Sequence, residues 1–527
     1  MTFQTPPAPS HPVPPAPAAP PVPLFPGSAR SRLSKSRFVA GKQCHKLLWW
    51  KVHEPLAEEL QPDKVLQDLF DQGAHVGALA RDRFPDGVLI DLPHNDYGGK
   101  IAATQRAIAS GAPAIFEASF SADDVFVAVD VLVREGSAWR LIEVKSSTSA
   151  KEEHLLDAAI QLHVLQRCGL AVHGVEIMHL NKEFRHPAQG DLFARADVTD
   201  QVAPLLPGIP AEIEAQVAML AGELPEVAFG EHCHEPRECP FMERCWPSDP
   251  DHIRNLYNVG KVACHKYMTA GVHSIWDIPP KKKLPPAAQR QLRAMREKRI
   301  IVEDTLSDAL APFSGRLGYL DFETIARAVP VWPEMNPWMQ AAAQFSYHES
   351  RPDGTYTHAE WLAEGPKDAR PLLAQAMIAA TRNADRVVSY SAFEKTKIRD
   401  LQVAVPELRD ELVVLEAKLI DLLPVLRDNV YDPGFRGSFS LKYVLTPLVP
   451  ELTYKDMVIV DGLTASVEIA RLLFVADRIP AHERDRVRAD LLAYCKQDTW
   501  AMVRLLEEMR ELAGIPPQGW TPLQIVR

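Results

Sequence analysis

A chain of 527 residues with a formal charge of −11 is too long for one ordinary core and too acidic to coat nucleic acid through bulk positive charge. At about 150 residues per domain, the length predicts roughly two to four folded units. No apolar run approaches the roughly 18 to 20 residues that span a bilayer, and the first residues lack a compact apolar leader, so the expectation is a cytoplasmic chain with no membrane partner.

Taken in chain order, residues 1–30 are dominated by proline and alanine and predict a disordered tail biased toward polyproline II. Val65, Leu66, Leu69, Phe70, Val76 and Leu79 recur at helical spacing and predict a helix over 65–84, closed by the turn at Pro85. The β-branched runs 125–133 and 139–145, joined by a Gly-containing turn, predict a β-hairpin feeding a core sheet, with a helix over 152–166 packed on it. From Asp249 to about Leu310 the text reads as a mostly helical connector, broken at Pro279, with a positive stretch from Lys281 to Arg299 that could contact a phosphate backbone. Gly260 and Gly271 around a short helix give it a rhythm similar to helix-hairpin-helix units. A second α/β unit opens near Gly315 and closes with a long amphipathic helix over 480–512. The divisions are thus a tail (1–30), a first α/β unit (31–250), the connector (251–310) and a second α/β unit (311–527).

Three constellations carry chemistry. In Glu143-Val144-Lys145 the alternation of a strand puts a carboxylate and an ammonium on one face, and Asp130 interrupts an otherwise apolar strand that should pair with it. Such a charge is costly unless it is paired or holds a metal. The bland alternative is a cross-strand ion pair on a solvated sheet face. A hairpin Asp, then Glu-x-Lys, then a helical Gln, here Gln161, resembles the PD-(D/E)xK nucleases. The resemblance implies that Asp130 and Glu143 hold Mg²⁺ or Mn²⁺ while Lys145 orients water or offsets phosphate charge. The RecB-like branch carries a Gly-x-x-His type motif on an earlier helix. Gly73-Ala74-His75 is its nearest match, implying His75 as a further metal ligand, with Glu117 a competitor for that role. The tyrosine that follows the Gln in that family is Leu165 here.

Seven cysteines are too few for a disulfide scaffold in a chain this long. Cys233, Cys239 and Cys245 are separated by two five-residue gaps, with Cys44 far upstream. Four thiolates suit a [4Fe-4S] cluster or a Zn²⁺ site. One remote cysteine with a C-terminal triplet resembles the cluster-bearing RecB-like nucleases, CRISPR-associated ones among them, which implies iron-sulfur. Cys168, Cys264 and Cys495 read as small buried hydrophobes.

Finally, Asp321 and Glu323 in Leu-Asp-Phe-Glu-Thr should emerge on one face of a strand, and VVSYSAFEK reads as a second strand ending near Glu394. Tyr494 and Asp498 share a helical face at i, i+4. Together they resemble the three motifs of DEDD-type exonucleases in the subtype that uses Tyr. That resemblance implies an RNase H-like fold, Asp321, Glu323 and Asp498 as metal ligands, and Tyr494 as the group that positions the attacking water. Glu394 stands where the family has Asp, with Asp421 a nearby alternative, and GSFSLKYVL (437–445) is expected at the nucleic-acid face. The fold expected is therefore α/β: a PD-(D/E)xK restriction-endonuclease-like domain and an RNase H-like domain on one chain. The expected activity is Mg²⁺- or Mn²⁺-dependent hydrolysis of nucleic acid, DNA favoured. The rival readings are a catalytically degenerate nucleic-acid-binding scaffold and an iron-sulfur redox or iron sensor.

Overall fold

The computed structural model describes residues 32–246, 249–279 and 281–516, and the stretch expected as a tail lies outside them. The chain enters through α1 (Lys35–Gln43) and α2 (His45–His53), which meet at Cys44. Ser34 caps α1 by accepting from the Arg37 amide, satisfying one of the first-turn donors a helix leaves without partners. Asp63 starts α3 (Lys64–Arg81) in the same way. That helix was expected, but Leu66, Leu69 and Phe70 are exposed on it. Its buried stripe is Gln72, Val76 and Ala80, spaced four apart.

The first sheet has the order Val88–Leu89, β1 (Ala114–Ala122), β2 (Val125–Glu135), β3 (Ala138–Lys145), β4 (Val172–Leu180), β5 (Phe193–Asp197), with Leu33–Ser34 paired to β2. β1, β2 and β3 form an antiparallel meander, so the expected hairpin is present as β2 and β3. β4 then runs parallel to β3, a connection that needs a crossover, supplied by α4 (Glu152–Arg167). α1 and α4 cover one face over Phe38, Val129, Leu141 and Leu162, while α3 covers the other over Phe116, Val131 and Ile142.

The connector holds α5 (Lys261–Thr269) and α6 (Pro286–Glu297). Gly260 and Gly271 flank α5 with positive φ, and the short 3₁₀ turn Ile275–Asp277 follows instead of a paired second helix. Ala287, Ala294 and Leu306 join the core of the second unit, and Ile301–Val302 pairs with Val430–Tyr431. Within the positive stretch, Arg290 is buried against Glu303 (2.7 Å) and the carbonyls of Arg427 and Asp428 and does not face solvent.

The second sheet has the order β8-β7-β6-β9-β10, made of β6 (Leu317–Ala326), β7 (Gln340–Ser350), β8 (Tyr356–Leu362), β9 (Arg386–Ser389) and β10 (Leu419–Asp421). β6, β7 and β8 are antiparallel, whereas β9 and β10 run parallel to β6. α7 (Arg370–Thr381), α8 (Phe393–Ala404) and α9 (Arg409–Lys418) cover one face, where Leu320 and Phe322 point. Across the other face lie α12 (Gly462–Phe474) and α13 (Ala481–Leu512), reached after α10 (Leu422–Asn429) and α11 (Leu441–Leu448). Leu317, Tyr319 and Ile325 point that way, so the period of two aims Asp321 and Glu323 at α13, the long helix expected from the sequence.

The two units touch directly. Asp68 of α3 pairs with Arg327 at 2.7 Å, and Gln72 Oε1 accepts from the Ala328 amide at 2.6 Å. Ala328 is buried inside the apolar cluster of the first unit, and the Trp338 indole donates to the carbonyl of Ser146 at 2.6 Å. No helix among the described residues is long and apolar enough to cross a membrane.

Candidate active sites and a cysteine cavity

In the first unit the acidic residue of β2 does not simply interrupt the strand. β2 and β3 are paired as far as Val131 with Ile142, and there the ladder stops. Asp130 Oδ2 accepts the Val144 amide at 2.7 Å, taking the donor that a continued ladder would have used. Glu143 is 1 % exposed and accepts from Lys35 Nζ (2.7 Å), Lys145 Nζ (2.8 Å) and Gln161 Nε2 (2.7 Å). Lys145 also donates to Asp157. The structure therefore brings Asp130, Glu143, Lys145 and Gln161 together, and adds Lys35 and Asp157.

Electrostatics separate the two carboxylates. Burial pushes Asp130 up to about 7, with the Glu143 charge adding to the push. Burial works on Glu143 in the same direction, but Lys35 and Lys145 overcome it and hold that group at about 2. Glu117 faces this place from β1, in a left-handed backbone conformation (φ 57°) between the pairs Phe116–Val131 and Ala118–Val129. Its charge also raises Asp130. His75 is exposed on α3 and shares no hydrogen bond or ion pair with the cluster among the described residues. Of the two candidates for the extra ligand, it is Glu117 that lies beside Asp130. Leu165 is wholly buried in the core beneath α4.

Cys44, Cys233, Cys239 and Cys245 line one small cavity with Leu47, Trp50, Phe229 and Met242. Gln43, next to Cys44, donates to the carbonyls of His232 (2.8 Å) and Arg237 (2.7 Å), tying the remote cysteine to the triplet loop. Burial raises the thiol of Cys233, and that of Cys239 to about 11. Cys168 and Cys264 are buried elsewhere, as expected.

The second unit gathers a larger acidic group. Asp321 and Glu323 leave β6 toward α13, where Tyr494 (4 % exposed), Cys495 (0 %) and Asp498 (9 %) occupy the facing turns. Tyr454 donates to Asp498 Oδ1 at 2.5 Å, Tyr494 is also hydrogen-bonded to Asp498, and Lys442 Nζ sits over both tyrosine rings at 5.5 and 5.3 Å. Glu394 is not at a strand end: β9 stops at Ser389, and Glu394 lies in the first turn of α8. From there its buried carboxyl lies against Asp321, and its Oε2 has no hydrogen-bond partner. Asp421 does different work, since its Oδ1 caps α10 through Leu423 N (2.9 Å) and holds the Ser391 amide (3.0 Å).

Four carboxylates drawn together out of water resist ionisation. Burial, then Asp498, Glu323 and Glu394, raise Asp321 well above the ordinary range. Burial likewise raises Glu394 to about 8 and Asp498 to about 6, with hydrogen bonds from the tyrosines and the Lys442 charge restraining the latter. Among the described residues, the one group of acids, cysteines and histidines whose ligand atoms all lie within 4.8 Å of one another is Asp321, Glu323 and Cys495. Lys35, Asp157, Tyr454 and Lys442 were not singled out by sequence reasoning. Lys442 did lie in the segment 437–445 expected at the nucleic-acid face.

A family described as a domain of unknown function (DUF2779) matches residues 318–440, which takes in Asp321, Glu323 and Glu394 and ends before Tyr494 and Asp498. No curated protein matches the chain.

Proposed function

We propose that this chain is a divalent-metal-dependent nuclease with two hydrolytic centres, similar to RecB-like PD-(D/E)xK nucleases in its first unit and to DEDD-type exonucleases in its second. The observation that carries the reading is the second centre: Asp321, Glu323, Glu394 and Asp498 crowd together with raised pKa values and one nearby cation, Lys442. A partnerless Glu394 Oε2 fits a site built to be completed by cations. The meander, crossover helix and parallel strand that position Asp130, Glu143, Lys145 and Gln161 support the first half.

Bound Mg²⁺ or Mn²⁺ would supply an activated water and offset charge on the leaving oxygen. In the first centre Lys145 places an ammonium beside Glu143, able to orient a water or meet a phosphate oxygen once its bond to Asp157 is exchanged. In the second, Tyr494 orients water at Asp498 while Tyr454 fixes that carboxylate. DNA is the favoured substrate, in repair, recombination or genome defence. The cysteine cavity, where four thiols line one space, would suit a [4Fe-4S] cluster. It would join Cys44 to the triplet and brace both ends of the first unit.

The test is hydrolysis of end-labelled single- and double-stranded DNA and RNA with Mn²⁺ by wild type, Lys145→Ala, Asp498→Ala and the double variant. Each single variant should lose one centre, and the double should fall by at least about 100-fold. A double variant that cuts as well as wild type ends the proposal.

A further inference from the structure

Cys495 belongs to the second centre although neither resemblance asks for a cysteine there. The residue stands between Tyr494 and Asp498 on α13, fully buried, with Sγ 3.7 Å from Asp321 Oδ2 and 3.8 Å from the Asp321 carbonyl oxygen. A tetrahedral zinc ion takes thiolate sulfur at about 2.3 Å and carboxylate oxygen at about 2.1 Å, which separates the two ligand atoms by about 3.6 Å. Sulfur and oxygen already stand at that spacing, and Glu323 completes a triad of ligand atoms within 4.8 Å. A second observation points to a ligand at the same place. Glu394 is 4 % exposed and lies against Asp321, yet its Oε2 has no hydrogen-bond partner. One turn along the helix, by contrast, Thr499 is fully satisfied by Ser346 and His348.

We infer that the second centre is also a binding site for a thiophilic divalent cation of the Zn²⁺ class, held by Cys495 Sγ with Asp321 and Glu323, and that this state excludes Mg²⁺ and Mn²⁺. The inference deepens the nuclease reading by naming what regulates that centre. An all-oxygen site suits Mg²⁺ and Mn²⁺, whereas one thiolate shifts preference toward Zn²⁺ and Cd²⁺. Binding breaks the Cys495 S–H bond and forms a metal–sulfur bond, the thiol proton and any protons held by Asp321 and Glu323 passing to solvent, with no change of oxidation state. Because Asp321 and Glu323 are shared, the soft and hard cations compete.

Cadmium is the probe, added to anaerobically purified full-length protein. Wild type should show a thiolate-to-cadmium charge-transfer band that Cys495→Ser lacks, by one cadmium equivalent, on top of any signal from the other cysteines. Zn²⁺ affinity should fall at least about tenfold in Cys495→Ser, the soft ligand being lost. Identical bands in the two proteins overturn the inference. Should the serine variant not fold, crystals of wild type soaked in CdCl₂ decide: an anomalous peak at bonding distance from Sγ is expected. A peak held by carboxylates alone, with the thiol still on Asp321, overturns it. Both measurements read binding, so a protein that forms the cadmium–sulfur bond yet cleaves nothing sinks the nuclease reading and leaves this one standing. Cleavage without that bond does the reverse.

Discussion

The two acidic centres solve the same electrostatic problem in opposite ways. In the first, Lys35 and Lys145 both reach Glu143, so the carboxylate is ionised, paired and buried by the protein's own charges. In the second, four carboxylates lie near Lys442, which sits over two tyrosine rings, and burial with mutual repulsion pushes them toward the protonated form. The first centre is compensated by the chain's own lysines, whereas the second is equally assembled but keeps an excess of acid. Burying charge is expensive in either case, and what differs is how much of the compensation comes from the chain's own cations.

The sharpest way to break this comparison is a pair of matched substitutions. Glu143→Gln leaves Lys35 and Lys145 short of their anion, and should destabilise the protein by about 3 kcal/mol, as for other broken buried pairs. Glu394→Gln removes a carboxyl that burial disfavours, so it should raise the thermal midpoint of metal-free protein while weakening Mn²⁺ binding. Calorimetry with a chelator reads both, and shifts of the same sign would erase the distinction.

A smaller effect comes from pH. Glu394 and Asp498 have folded pKa values of about 8 and 6, above their ordinary 4.5 and 3.8, so the folded state binds protons more tightly than the unfolded one. His154 and His348, lowered by burial to about 4 and 3, oppose this below their ordinary 6.5, so metal-free stability should fall as pH rises from about 7 to 8. Asp130, at about 7, adds to the same slope. Glu143, lowered to about 2, contributes stability that is complete above its ordinary 4.5 and lost only as pH falls toward 2. Thermal scans from pH 7 to 8 should show a declining midpoint that Mn²⁺ flattens, and a midpoint rising over that window contradicts the account. Smallest is Asp421→Ala. Loss of the α10 cap should cost about 1 kcal/mol, with Mn²⁺ affinity unchanged, because Asp421 spends its carboxylate on amides. A large loss of affinity would move Asp421 into the metal site in place of Glu394.

What could be read in the sequence was local. Period-two alternation placed Asp321 beside Glu323 and Glu143 beside Lys145, the i, i+4 rule placed Tyr494 over Asp498, and apolar patterning marked the β2–β3 hairpin, α4 and α13. What escaped depends on contacts distant in the chain. Lys35 meets Glu143 across 108 positions, and Tyr454 meets Asp498 across 44. Nothing in the strand pattern announced that Asp130 would end a ladder by taking a backbone amide. Glu394 was placed at a strand end because β-branched residues precede it, yet the Ser391 turn held by Asp421 starts a helix first. The exposed Leu66, Leu69 and Phe70 show the limit of helical spacing: it finds an apolar stripe but not which neighbour arrives to cover it.

The seam between the units has a practical consequence. Ala328 and Trp338 belong in sequence to the second unit but finish the wall of the first, with the indole clasping the carbonyl one residue beyond Lys145. Cutting the gene at the connector would strip that wall from the first centre and uncover Val76 and Phe116. A fragment ending there is a wounded molecule, and its silence in an assay would report the surgery rather than the chemistry of the missing half.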